Sequence, residues 1–317
     1  MDGATKLQNE AGFSATLLDR GAGIQAIGVP TSRGVVQAVL GYRDSADYRS
    51  DRYYLGVTVG RYANRIRAGA LTLPDGVYPL PVDPRTGHCL HGGPRGFHSR
   101  IWRREPTTSE TMVSYRLRSP DRDQGFPGEL AVAVTYTLLP GAALAVDYLA
   151  TTTQTTAVSL TNHAYFNLHG DGSTVDGHRL SIRASRFTPT DRDKIPTGEV
   201  VDTRGTPMDF RADRLLGAND VYDVNFALDD GASSLRPVAT LSSPKTGLCL
   251  IVHTTQPALQ LYTGDGLGEP FAPRAGLCLE TQQFPDAPNC PAFPSAVLTP
   301  DQVYTHRTVF EFHELPV

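Results

Sequence analysis

Two side chains far apart in the sequence have the types and settings for proton transfer. His163 lies in residues 158–170, VSLTNHAYFNLHG, where Asn162, Tyr165 and Asn167 crowd the end of a β-favouring run. Glu280 lies in residues 277–289, LCLETQQFPDAPN, inside an apolar strand-like run. A lone buried histidine is ordinarily satisfied by a hydrogen bond. A carboxylate in an apolar run is costly unless it has a partner or a task. A histidine and a carboxylate, each awkwardly placed, form a candidate acid/base pair.

Other stretches add recognition chemistry. Residues 56–73, GVTVGRYANRIRAGALTL, place Arg61, Asn64 and Arg65 just after a strand. Their fixed donors suit hydroxyl oxygens, although a surface turn with solvated arginines has the same appearance. Residues 89–102, CLHGGPRGFHSRIW, set His91 before two glycines, where the backbone can approach a ligand closely. His98 reads as a solvated loop histidine, and Trp102, the only tryptophan, as core. Residues 188–200, TPTDRDKIPTGEV, form a turn-rich loop. Asp220 and Asp223 in 218–226 read as turn residues or hydroxyl acceptors, and 259–267 carry Tyr262 and Asp265 into a Gly-rich loop.

This inventory fits a polyhydroxylated, uncharged ligand. It contains no dinucleotide, P-loop, nucleophile-elbow or HExxH motif. The cysteines Cys89, Cys249, Cys278 and Cys290 form no CxxC pair, so neither a metal site nor a cofactor is expected.

The elements that must position these groups read as strands. Alternating runs at 130–138 and 144–150 are joined by Leu139, Pro140, Gly141, Ala142 and Ala143, a hairpin signal. Similar runs occur at 180–184, 248–254, 259–263, 277–281 and 303–312. The one candidate helix is short, residues 208–216. With 30 glycines and 24 prolines in 317 residues, the pattern is that of one all-β domain spanning 1–317. Twenty-nine basic against 33 acidic residues give a net charge of −4, with no basic cluster for a nucleic acid. No apolar signal core or 18-residue apolar stretch is present, so a cytoplasmic protein without a membrane partner, monomer or homodimer, is expected.

These stretches, in this order and spacing, resemble the aldose 1-epimerase (galactose mutarotase) family from Phe13 to Phe312. The resemblance rests on GVTVGRYANRI, LHGGPRGFHSRIW, GFPGEL, LTNHAYFNL, PTDRDKIPTGEV, TPMDF, YDVNF, LQLYTGDGL, LETQQFPDAPN and FPSAVLTPDQVY. It implies a large antiparallel β-sandwich. It makes Glu280 the general base and His163 the general acid of a reaction that interconverts sugar anomers. His91 resembles the second histidine at the anomeric centre. Asn64, Asp223 and either Arg65 or Arg61 resemble the sugar-holding residues. The sequence departs from the family pattern at Ala164, His98, Val224, Asp265 and Gln283. If His98, Val224 and Gln283 line the pocket, preference among sugars shifts, and a substituted sugar or specialised metabolite becomes an alternative substrate. A non-catalytic sugar-binding protein is a rival reading, but binding alone would not need the His163–Glu280 pair. Glycoside hydrolysis ordinarily wants two flanking carboxylates, and only Glu280 is clearly placed.

Overall fold

The computed structural model describes residues 3–232 and 234–315. Its strands gather into two large antiparallel sheets. The first has nine strands, in spatial order Arg103–Arg104, Met112–Ser119, Leu130–Leu139, Ala143–Thr152, Tyr304–Glu314, Leu248–Thr254, Arg236–Ser242, Arg179–Ile182 and Arg214–Leu215. The second has six, Tyr165–Phe166, Leu277–Gln282, Ala258–Tyr262, Asp223–Ala227, Arg186–Thr188 and Val201–Asp202. A four-stranded sheet built from residues between Ala4 and Gln37 adds Phe13 to the same core, 5.8 Å from Phe312.

Alternation decides which side chains meet. Leu277 and Leu279, Leu259 and Leu261, and Phe226 face the nine-stranded sheet and share its apolar core with Val146, Val252 and Phe310. Phe166 meets Phe310 at 5.0 Å. The β-sandwich expected from the sequence is therefore present, with side chains of both inner faces in one cluster. The opposite face of the six-stranded sheet carries Cys278 and Glu280, Gln260 and Tyr262, and Asp223 and Asn225. Successive residues of an extended chain point to opposite sides. Register aligns them: Glu280 lies opposite Gln260, which lies opposite Asn225, while Tyr262 links Cys278 and Asp223.

The hairpin forms as read, with Leu130–Leu139 paired to Ala143–Thr152 and Gly141 at φ +79° in the turn. The short helix does not form. Residues 208–213 are turns and irregular backbone, and Arg214–Leu215 pairs as an edge strand with Arg179 and Leu180. Local bonds outweigh helix propensity there: Asp209 holds Arg211, and Arg214 donates to the Pro207 carbonyl while lying over the Phe210 ring. Among the described residues, no helix is long and apolar enough to cross a membrane.

Candidate active site

The outer face of the six-stranded sheet is the floor of a pocket of about 220 Å3. Two further segments wall it. Residues 54–65 are clamped to the His163 segment, because Gly56 N–H donates to the His163 carbonyl and His163 N–H to that of Val57. Arg65–Ile66 pairs with Cys89–Leu90, which brings His91 alongside Asn64. Tyr54, Asn64, His91 and Lys194 all line the pocket with φ between +50° and +65°. Non-glycine residues in this region store backbone strain, which the surrounding structure must hold.

Glu280 and His163 meet at the base, with Oε1 3.8 Å from Nε2 and both side chains almost fully buried. No described residue makes a hydrogen bond to the Glu280 carboxyl, and its buried Oε2 has no partner. Burial pushes the Glu280 carboxyl up to about 8; the nearby Asp223 charge adds to this and Arg65 opposes it. Burial pushes His163 down to about 4, only partly offset by a hydrogen bond to its own main-chain carbonyl. Cys278 Sγ lies 3.5 Å from His163 Nδ1, so Nε2 is the nitrogen left facing Glu280. Together the two groups hold one proton over a wide pH range. Burial alone favours placing it on Glu280, with both groups neutral.

His91 is fixed in one tautomer. The Asn64 amide donates to His91 Nδ1 at 3.1 Å, so in the neutral ring Nε2 carries the hydrogen. Burial, then His163, Arg65 and His98, hold its pKa well below the ordinary histidine value. His91 is therefore a neutral donor. Asp223 closes the other part of the pocket: Gln260 donates to one carboxylate oxygen at 2.6 Å, and Lys194 Nζ lies 2.7 Å and Arg65 3.7 Å from the other. Burial pushes Asp223 up, but Arg65, Lys194 and Gln260 outweigh it and leave the carboxylate below its ordinary value.

A family model described as aldose 1-epimerase matches residues 4–311. Galactose mutarotase of Rattus norvegicus is 39% identical over 316 residues, covering 95% of this chain and 91% of that protein. Aldose 1-epimerase of Escherichia coli K12 is 36% identical over 327 residues, covering 96% and 94%. The crystal structure of the aldose epimerase homologue from C. elegans superposes with a TM-score of 0.93 at 31% identity, covering both chains completely. The chain belongs to the aldose 1-epimerase family.

Against the expectations drawn from the resemblance to that family, the fold brings Glu280, His163, His91, Asn64, Arg65 and Asp223 to one pocket. It also separates the two arginines. Arg65 lines the pocket, while Arg61 is buried elsewhere, its guanidinium donating to the carbonyls of Ser119, Pro120, Pro127 and Gly128. The glycines after His91 serve the scaffold rather than a ligand: a Cβ on Gly92 would sit 2.0 Å from the Gly60 carbonyl oxygen. All five departures fall outside the pocket lining, with Ala164 buried in the main core. Val224 faces the core side, packed against the main cluster. Gln283 lines a separate concavity with Gln256 and Tyr304. Asp265 accepts from Thr263 and pairs with Arg274 at 3.3 Å. His98 is not a solvated loop residue; it is half-buried, its ring edge-on to Tyr54 at 4.7 Å.

Sequence reasoning missed Arg52, Tyr54, Lys194 and Gln260. Tyr54 stacks near His91 and His98, at 4.6 and 4.7 Å. Gln260 had a readable signal, since it is the polar residue between Leu259 and Leu261 in a strand. Sequence spacing showed no metal-ligand cluster, yet the fold brings three possible ligands together. Ligating atoms of His91, His163 and Glu280 lie within 4.8 Å of one another, a proximity that sequence spacing could not reveal. Their chemistry fits a metal poorly, because His91 Nδ1 already accepts from Asn64 and its Nε2 carries the hydrogen.

Proposed function

We propose that this chain interconverts the α and β anomers of a free aldohexose, such as galactose or glucose, by acid/base opening and closing of the ring. The observation that carries this reading is Glu280, a buried carboxyl without a hydrogen-bond partner among the described residues, 3.8 Å from His163 Nε2 at the base of a pocket of monosaccharide size. A buried polar group left unbonded is costly, and such a cost is kept where a ligand supplies the partner.

In the reaction Glu280 takes the proton of the anomeric hydroxyl while His163 Nε2 gives a proton to the ring oxygen. The bond between the anomeric carbon and ring oxygen breaks and a carbonyl forms. The open aldehyde rotates about the bond to the next carbon. Closure on the other face reverses both transfers, and each group ends as it began. The active pair is the charged tautomer of the one-proton state. A seated sugar favours it, because its anomeric hydroxyl donates to the carboxylate and its ring oxygen accepts from the imidazolium. Each group contributes roughly 10²–10⁴ in rate. His91, a neutral donor by virtue of Asn64, steadies a sugar oxygen beside this centre. Asp223, braced by Gln260, and Arg65 hold the remaining hydroxyls while the anomeric end moves.

Polarimetry on freshly dissolved α-galactose and α-glucose, with anomer-resolved NMR exchange at equilibrium, tests the proposal. Acceleration over the buffer rate is expected with at least one of them. A rate equal to that of buffer with both sugars would overturn it.

A further inference from the structure

The ionisable groups lining the pocket are unbalanced. Among the residues that line the pocket, Arg52, Arg65 and Lys194 stand against two carboxyls, Asp223 and Glu280, while Asp51 and Asp83 act on it from outside the lining. While the Glu280–His163 pair holds its one proton, on either group, positive charge exceeds negative by two; once that proton is lost, by one. The chain as a whole carries −4, so the pocket is a local inversion of the molecule's charge. Asp223 does not absorb the excess, because Lys194, Arg65 and Gln260 already converge on its two oxygens. Arg52 has no carboxylate within ion-pair distance among the described residues. Its Nε donates to the Tyr53 hydroxyl at 3.1 Å, and its guanidinium lies 5.3 Å from that ring.

Lys194 is exposed at the pocket rim, with its ammonium held 2.7 Å from Asp223. It sits at φ +62° in a turn built by Asp191, whose carboxylate accepts from the Asp193 and Ile195 amides at 2.9 and 3.0 Å. The turn presents Lys194 to the pocket and strains its backbone to do so. Hydroxyl groups need no such surplus, since neutral donors and one carboxylate suffice to hold them. A charged substituent does need it, and when a sugar hydroxyl takes a lone pair of Asp223, Lys194 becomes available to pair with that substituent.

We propose that the preferred substrate is an acidic aldose, a monosaccharide with a carboxylate or phosphate on the carbon remote from the anomeric centre, held by Lys194 and Arg52. This deepens the anomer-exchange reading and rests on it: the hemiacetal at Glu280 and His163 is the same, and the acidic group lies at the other end of the ring. The volume of about 220 Å3 suits one ring with a small substituent.

The test is NMR exchange spectroscopy on the intact protein with galactose, glucose, galacturonate, glucuronate and galactose 6-phosphate, each at low and high salt. The expected kcat/KM for at least one acidic sugar exceeds that for its neutral parent by about tenfold at low salt, and the advantage shrinks at high salt. The carboxylate and phosphate arms identify which group is read. In Arg52→Gln with Lys194→Met, the ratio of acidic to neutral kcat/KM falls to near one, whatever the change common to both sugars. A wild-type ratio of one or less overturns the proposal without using any variant, as does a ratio that the double substitution leaves unchanged. Galactose or glucose exchange with no acidic advantage removes this inference alone, whereas loss of all exchange removes the anomer-exchange reading as well.

Discussion

Glu280 and Thr281 are neighbours on one strand, and the two faces onto which they open bury a histidine in opposite ways. On the core side Thr281 belongs to a closed polar network around His306. Nδ1 of that ring bonds the Leu160 carbonyl at 3.0 Å, and Nε2 meets the hydroxyls of Thr308 and Thr281 at 2.8 and 3.2 Å. On the pocket side His163 faces a carboxyl at 3.8 Å that no described residue bonds. Burial pushes both histidines down, His306 to about 3 and His163 to about 4. A displaced pKa therefore does not tell the two regions apart. The bonding of the histidine's own partner does: Thr281 and Thr308 are paired around His306, whereas the Glu280 carboxyl facing His163 is left for a ligand.

The strongest way to break this comparison is to remove each histidine in turn. Glu280→Gln and His163→Asn should each lower anomer exchange by at least about a hundredfold with the fold retained, because each deletes a proton-transfer partner. His306→Asn should do the reverse, lowering stability by about 1–3 kcal/mol while leaving kcat within about fivefold. Exchange rates beside thermal unfolding curves decide it, and near-wild-type exchange in either pocket variant would sink the acid/base assignment.

The two arginines of the GRYANR segment sharpen the same contrast. Arg61 is a fully bonded scaffold group and Arg65 a pocket group. Arg65→Met is expected to cut kcat/KM at least tenfold, roughly the weight of a charge-assisted contact, with little change in unfolding temperature. Arg61→Met leaves several buried carbonyls unpaired and should destabilise by about 3 kcal/mol or more. Equal losses of stability in the two variants would contradict the separation.

How far the sequence reached follows from what each signal encodes. Strand alternation identified the sheets and set Glu280 apart as a carboxyl in an apolar run. The ordered motifs pointed to six residues that the fold brings to one pocket. Arg61 and Arg65 stayed unresolved because a turn has no periodicity from which to infer facing. Arg52, Tyr54 and Lys194 were missed for the same reason, as loop residues placed by tertiary contacts. Segment 208–216 misled because its apolar and charged spacing suits a helix, while Asp209–Arg211 and Arg214–Pro207 bonds favour turns and an edge strand.

The pH dependence follows from the opposite shifts of the pair. Exchange should show a plateau between about 4 and about 8, falling below as a second proton enters and above as the last one leaves. These limits belong to the pair and hold whichever group carries the shared proton. Stability obeys a related sign. The Glu280 carboxyl is raised above its ordinary 4.5, so its contribution is fully present below 4.5 and lost as pH rises through about 8. His163 is depressed from 6.5, so its contribution is present above 6.5 and lost as pH falls through about 4. Glu280→Gln is accordingly expected to be more stable than wild type by roughly 1–3 kcal/mol at pH 8, with the gap closing toward pH 4.5. Denaturant titrations at the two pH values measure it; a gap that widens on acidification would show that burial does not set the carboxyl's ionisation.

Chelation should matter less. With His91 held as the Nε2–H tautomer, EDTA is expected to leave the exchange rate unchanged. Loss of activity after chelation, restored by a divalent ion, would mean that the Asn64 bond gives way to a metal.

The smallest expected effect concerns Val224 and Gln283. Adjacent residues of an extended strand face opposite sides, so Asp223 and Val224 cannot both line one pocket. Asp223 faces the sugar site and Val224 packs on the core side. Gln283 follows the last residue of the Leu277–Gln282 strand; its amide nitrogen donates to Ser159 Oγ at 3.2 Å, and its side chain lines a different concavity. A change of residue at either place reaches a bound sugar only through the strand beneath it. Val224→His with Gln283→His should therefore leave the relative kcat/KM for galactose, glucose, xylose and arabinose within about twofold of wild type, below the weight of one direct polar contact. Some stability is lost, because a histidine on the core side displaces an apolar contact. The comparison of the four ratios is insensitive to that loss, since a smaller folded fraction scales all four rates together. A reordering of the four sugars would show that the core face of this strand, and not only its pocket face, takes part in recognition.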